Sequence, residues 1–102
     1  MKKSSAMKHL EKLTGEVFSF ATMVRGYRTR EDLTQEQLAT LLKVKKSYIS
    51  NLENGRDFVT LDQAIRFASA LKEPVEVWAK VALQDMINRS GLRAIVELKK
   101  VA

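Results

Sequence analysis

The chain has 102 residues and no cysteine, with 18 Lys and Arg against 12 Asp and Glu, a formal net charge of +6 at pH 7. That length fits one small core rather than several domains, and without cysteine there is no disulfide framework and no thiolate zinc site. One histidine, His9, rules out a histidine-rich metal cluster, so the expectation is a chain without a metal or other cofactor. No apolar run reaches the roughly 18 residues of a membrane span, and Met1–Ala6 precedes no stretch suited to a secretory signal. A cytoplasmic protein without membrane contact is the default.

Charge is unevenly spread. Residues 1–30 hold seven basic and two acidic side chains; residues 31–56 balance, with Lys43, Lys45 and Lys46 clustered; residues 57–102 hold seven basic and six acidic. Such a surplus points to an anionic partner without naming it.

The organisation expected is a flexible basic segment over 1–13, a core over 14–73, and a C-terminal helix with a possible dimerisation tail over 74–102. Thr14-Gly15-Glu16 reads as a helix start, followed by Val17, Phe18, Ala21, Val24 and Met23 as an apolar stripe. Thr34-Gln35-Glu36-Gln37 is a capping box opening a second helix that buries Leu38, Ala39, Leu41 and Leu42. A short third helix carries Ile49 and Leu52 and ends at Asn54-Gly55, which tolerate turn geometry. Thr60-Leu61-Asp62-Gln63 repeats the cap before a fourth helix with Leu61, Ala64, Ile65, Ala68 and Leu71 inward. Pro74 suits the first turn of a fifth, with Val77, Trp78, Val81, Ala82, Met86 and Ile87 on one flank. Trp78 reads either as a core or subunit-interface anchor or as a ligand-stacking residue, and helical phase favours packing. The tail Gly91–Val101 allows a strand, whose open edge would invite a second copy or another protein, or a helix.

Two short helices separated by Lys43-Val44-Lys45 have the spacing of a helix-turn-helix, whose second helix enters a major groove. The run Leu33-Thr34-Gln35-Glu36-Gln37-Leu38-Ala39, then Val44, then Tyr48-Ile49-Ser50-Asn51-Leu52-Glu53-Asn54-Gly55-Arg56 resembles the Cro/lambda-repressor-type helix-turn-helix family, also called the XRE family. The resemblance implies an all-α, compact five-helix lambda-repressor-like DNA-binding domain. Leu38, Ala39, Val44, Ile49 and Leu52 correspond to the positions that lock the two helices together. Lys46, Ser47 and Asn51 correspond to positions that approach base edges, with Tyr48 and Ser50 at the groove or backbone. Gln35 corresponds to a phosphate-facing helix start, and Lys43, Lys45, Asn54 and Arg56 are phosphate candidates. For Arg56 a local pair with Asp57 or Glu53 is the alternative, and Arg25, Arg28 and Arg30 are candidates to extend the contact.

Two positions depart from the family pattern. Lys43 stands where glycine is usual, which costs roughly 1–2 kcal/mol if the left-handed backbone is kept. Lys45 stands where a Ser or Thr cap is usual, worth ~0.5–2 kcal/mol. The resemblance implies a transcriptional regulator, a repressor rather than an activator, acting on double-stranded DNA as a homodimer. An antitoxin that binds a toxin protein and represses its own operon is the near alternative, and a helical protein-interaction module without DNA binding the distant one. No enzyme is expected, since Ser47, Ser50 and His9 assemble no nucleophile, base and orienter.

Overall fold

A computed structural model describes residues 18–101. Five helices follow one another among them: α1 Phe20–Arg30, α2 Gln35–Leu42, α3 Lys46–Glu53, α4 Leu61–Ala70 and α5 Val75–Arg89. This is the all-α lambda-repressor-like architecture. Helix α3 packs on α1 and α2, α5 packs on α4 and α1, and α2 touches α4.

Trp78 of α5 lies at the centre, 2% exposed. Phe20 and Tyr27 of α1 meet its ring edge-on at 5.6 and 6.1 Å between centroids, an arrangement favoured by the ring quadrupoles. Packing is therefore its role. Val24, Leu38, Ile49 and Phe67 are the other large side chains fully buried in the core, and the small Ala39, Ala64, Ala68 and Ala82 allow the helices to approach closely.

Four helices end in one way. After α1, α2, α3 and α4 the residues Asp32, Lys43, Gly55 and Lys72 take left-handed backbone, with φ of 56°, 58°, 72° and 57°. Each is followed by an amide that bonds back into the last turn: Leu33 to the Arg28 carbonyl at 2.9 Å, Val44 to Ala39 at 3.0 Å, Arg56 to Asn51 at 2.9 Å and Glu73 to Ala68 at 2.8 Å. The closure satisfies carbonyls that a helix end otherwise leaves unpaired. Leu33 and Val44 then pack against the core, so the turn aims the next segment inward. Only one of the four sites has the glycine that such backbone favours.

Several sequence expectations change. Helix α1 starts at Phe20, because Ser19 Oγ caps the Thr22 amide at 3.2 Å and Asp85 accepts the Phe20 amide at 3.0 Å; Thr14-Gly15-Glu16 and the 1–13 segment lie outside the described residues. Leu41, expected inside, is 52% exposed. In α4 the buried stripe is Ala64, Phe67 and Ala68, continued by Leu71 at its C-cap, which turns Leu61 and Ile65 to its margin. In α5 it is Trp78, Ala79, Val81 and Ala82, which leaves Val77 and Met86 exposed. Pro74 is the N-cap of α5 and Val75 its first residue. The second cap is half a box: Thr60 accepts the Gln63 amide, while the Gln63 side chain is taken by Tyr48. The tail from Leu92 to Val101 is neither helix nor strand. No helix among the described residues is long and apolar enough to cross a membrane.

Candidate nucleic-acid interface

Helix α2 begins with the reciprocal cap expected of it: Thr34 Oγ1 accepts the Gln37 amide at 3.0 Å, and Gln37 Oε1 accepts the Thr34 amide at 2.8 Å. It closes on Lys43, at φ 58° and ψ 44°. Three residues later α3 begins at Lys46 without a side-chain cap from Lys45 and with no acidic residue in its first turn. Lysines therefore crowd the positive end of a helix dipole whose first amides have no side-chain partner from the cap residue, although the Lys45 carbonyl accepts the Tyr48 amide at 3.0 Å. In the free protein this end is unfavourable, and an anion placed there would relieve both defects.

The buried side of α3 is Ile49, Leu52 and Glu53. Its other side shows Lys46 and Ser47 exposed with Ser50 and Asn51 half-buried. Ser47, Ser50, Asn51 and Asn54 recur at three- and four-residue spacing and so share one face. Lys43, Lys45, Asn54 and Arg56 are exposed in the turns on either side of α3. Asn54 Nδ2 lies 3.4 Å from Ser50 Oγ.

Tyr48 sits differently. Its ring is half-buried and meets Phe67 edge-on at 6.5 Å, and its hydroxyl donates to Gln63 Oε1 at 2.9 Å, with the Phe58 carbonyl at 3.2 Å. In this state it ties α3 to α4. Leu38, Ala39, Ile49 and Leu52 are at most 3% exposed, and Val44 is half-buried against them.

A buried carboxylate at the end of α3 holds these helices together. Glu53 is 4% exposed. Arg28 of α1 grips it in a fork, Nε to Oε2 at 2.7 Å and Nη2 to Oε1 at 2.9 Å, while Arg28 Nη1 donates to the Leu33 carbonyl at 3.1 Å. Gln35 of α2 donates to Oε1 at 3.2 Å, and Arg25 donates to the Glu53 main-chain carbonyl. One residue thus collects α1, α2 and α3. Burial pushes the Glu53 carboxyl up, but hydrogen bonds from Arg28 and Gln35, and the charges of Arg28 and Arg25, hold it below the usual carboxylate range. The Arg28 guanidinium is shifted up, first by its bond to Glu53.

These contacts redistribute the arginines. Arg25 and Arg28 serve the Glu53 brace, and Arg30 stacks 5.3 Å above Tyr27 with Glu73 at 3.5 Å. Gln35 spends its side-chain amide on Glu53. Glu53 pairs with Arg28 and not with Arg56, while Asp57 Oδ1 accepts its neighbour's amide at Phe58. A signal for the brace was present in helical phase, since Arg28 falls four residues after Val24 and eight after Phe20 on the buried stripe, and Glu53 falls four after Ile49.

The profile of the family described as a helix-turn-helix domain matches residues 19–79, more than half of the chain. The chain is 34% identical to the control protein C.SmaI of Serratia marcescens over 73 residues, which span 72% of this chain and 77% of that protein. Its fold is similar to the crystal structure of the hypothetical transcription factor NHTF from Neisseria, with a TM-score of 0.53 and 22% identity over 70% of this chain and 79% of that one. Together with the α2, turn and α3 geometry, the profile and the relative show that the chain belongs to the helix-turn-helix domain family and carries a DNA-binding domain of that type.

Proposed function

We propose that the chain is a sequence-specific transcriptional regulator of the XRE type, a repressor that inserts α3 into the major groove and acts as a homodimer on two half-sites. The observation that carries the reading is the exposed face of α3, with an uncapped, lysine-flanked start, on a helix whose far end is fixed by the buried Glu53 brace. Lys46, Ser47 and Asn51 read base edges, Lys46 as a donor to guanine and Asn51 as a bidentate partner for adenine. Ser50 follows the groove wall, and Tyr48 fixes α3 from behind. Lys43, Lys45, Asn54 and Arg56 hold phosphates together with the start of α2 at Gln35. One helix of eight residues sees few bases, so two copies about 34 Å apart supply the rest of the site. The name of the Serratia relative, a control protein, agrees with a regulatory role.

Selection of genomic fragments by the purified protein, followed by footprinting, tests this. A reproducible site with two-fold spacing is expected. Asn51→Ala should then cost about 1–3 kcal/mol on that site and relax preference at one position. Fragments without a common site, or equal binding of selected and scrambled duplexes at every salt concentration, would refute sequence-specific regulation, because phosphate attraction alone gives that outcome.

A further inference from the structure

Gly91, at φ 85°, turns the chain back after α5, and Leu92–Val101 then runs without a bend. Gln84 of α5 clamps it: Nε2 donates to the Ala94 carbonyl at 2.8 Å, and Oε1 accepts the Val96 amide at 2.8 Å. Further on, Lys100 Nζ lies 3.5 Å from Glu76 Oε1. From Gln84 back to Glu76 is about 12 Å of helix, and from Val96 to Lys100 is about 13 Å of extended chain. The tail therefore lies extended and antiparallel to α5.

That geometry assigns its two edges. The clamp uses main-chain groups of residues 94 and 96, so those of Arg93, Ile95 and Glu97 project to the opposite edge. Side chains alternate as well. Val96 is half-buried, whereas Ile95 is 84% exposed between Arg93 and Glu97 on the outer face.

We propose that residues 92–98 pair with the same residues of a second copy, as an antiparallel two-stranded ribbon centred on Ile95. This rests on the homodimer reading above and names its interface. Charge complementarity selects both the occupant and the register. With Ile95 on the two-fold axis, Arg93 faces Glu97 of the second copy twice, Leu92 faces Leu98 twice, and the two Ile95 side chains meet. Centring the same edge on Arg93 or on Glu97 sets like charges face to face, which cross-strand pairing disfavours. Along one extended chain Arg93 and Glu97 are about 13 Å apart, so their attraction is realised only between copies.

Sedimentation velocity of the full chain without DNA tests the register. The unmodified protein is expected to dimerise. Arg93→Glu and Glu97→Arg should each weaken association by about tenfold or more, since symmetry turns two attractive pairs into two repulsive ones. The double exchange should restore it to within about threefold. As the sequence has no cysteine, Ile95→Cys adds a single thiol, and a hydrogen-bonded antiparallel pair holds Cα atoms about 5.5 Å apart, within disulfide reach. Ile95→Cys should oxidise to a covalent dimer faster than Val101→Cys, although Val101 is 93% exposed. A monomer at tens of micromolar, single variants that dimerise as before, a double exchange without rescue, or equal oxidation of the two cysteines would each overturn the proposal. Since DNA is left out, these failures stand apart from failure to find a specific site.

Discussion

Replacing Glu53 by Gln removes the one charge on which three helices converge. The carboxylate accepts two bonds from Arg28 and one from Gln35, and the amide of Gln offers those donors one oxygen and an NH2 that opposes them. Breaking a fully buried pair from one side costs about 3–5 kcal/mol. Glu53 meets that condition, with a side chain 3% exposed, but Arg28 keeps 22% of its side chain in solvent and is left partly hydrated. We expect about 2–3 kcal/mol, which in a domain of this size lowers Tm by about 10 °C or more. Urea unfolding of both proteins at pH 7 measures it, with the slope against urea unchanged if only the folded state is affected. The pH dependence gives a second reading. The folded Glu53 carboxyl is held below its unfolded value near 4.3, so its contribution is complete above that value and is lost as pH falls through the folded one. The difference between the proteins should shrink on acidification below about pH 4. A loss under about 0.5 kcal/mol at pH 7, the size of an ordinary surface substitution, or a difference that stays constant into acid, would refute the brace.

Other substitutions probe the turn and the start of α1. Lys43→Gly relieves left-handed backbone at φ 58° and should stabilise by about 1 kcal/mol, less the entropy glycine brings to the unfolded chain. Lys45→Ser supplies the missing cap of α3 and should add about 0.5–2 kcal/mol. Unchanged urea midpoints would contradict both. If Lys43 and Lys45 hold phosphates, each variant also lowers the salt slope of DNA binding by about 0.9, and an unchanged slope in both would remove that role. Asp85 carries the opposite sign from Glu53: burial raises its carboxyl, while the Phe20 amide and Arg89 pull against it. A raised folded value means the carboxyl favours the fold most when protonated, a contribution lost as pH rises through that value. Asp85→Asn keeps an acceptor for the Phe20 amide and should therefore be more stable than the unmodified protein at pH 7, with a difference that narrows in acid. Lower stability at pH 7 would refute this.

Local chemistry made much of the fold legible. Thr34 and Gln37 formed the cap that their spacing announces and Asn54-Gly55 ended α3, while the left-handed backbone at Lys43, which the sequence left conditional, was kept despite the side chain. Leu38, Ala39, Ile49 and Leu52 are buried. These features depend on residues a few positions apart, whose geometry is set by helical spacing. Phase was less secure where apolar residues lay on more than one face. Leu41, Ile65, Val77 and Met86 are as apolar as their buried neighbours, and only the arrangement of the surrounding helices chose Phe67 and Ala79 over them.

By itself the sequence determined the five helices of the described residues, the turn between α2 and α3, and the lysines beside α3. Tertiary structure decided which charges turn inward and which stay free. Arg28 and Glu53 are 25 positions apart, and each looks like an ordinary surface charge until α1 and α3 cross. Desolvation then makes the Glu53 charge costly without Arg28, and Arg25 and Gln35 join the same cluster. Lys43, Lys45, Lys46 and Arg56 remain exposed. The tail was decided in the same way: its alternating residues fit a strand or a helix equally, and the Gln84 clamp, reached only after α5 reverses at Gly91, holds it extended with one edge open.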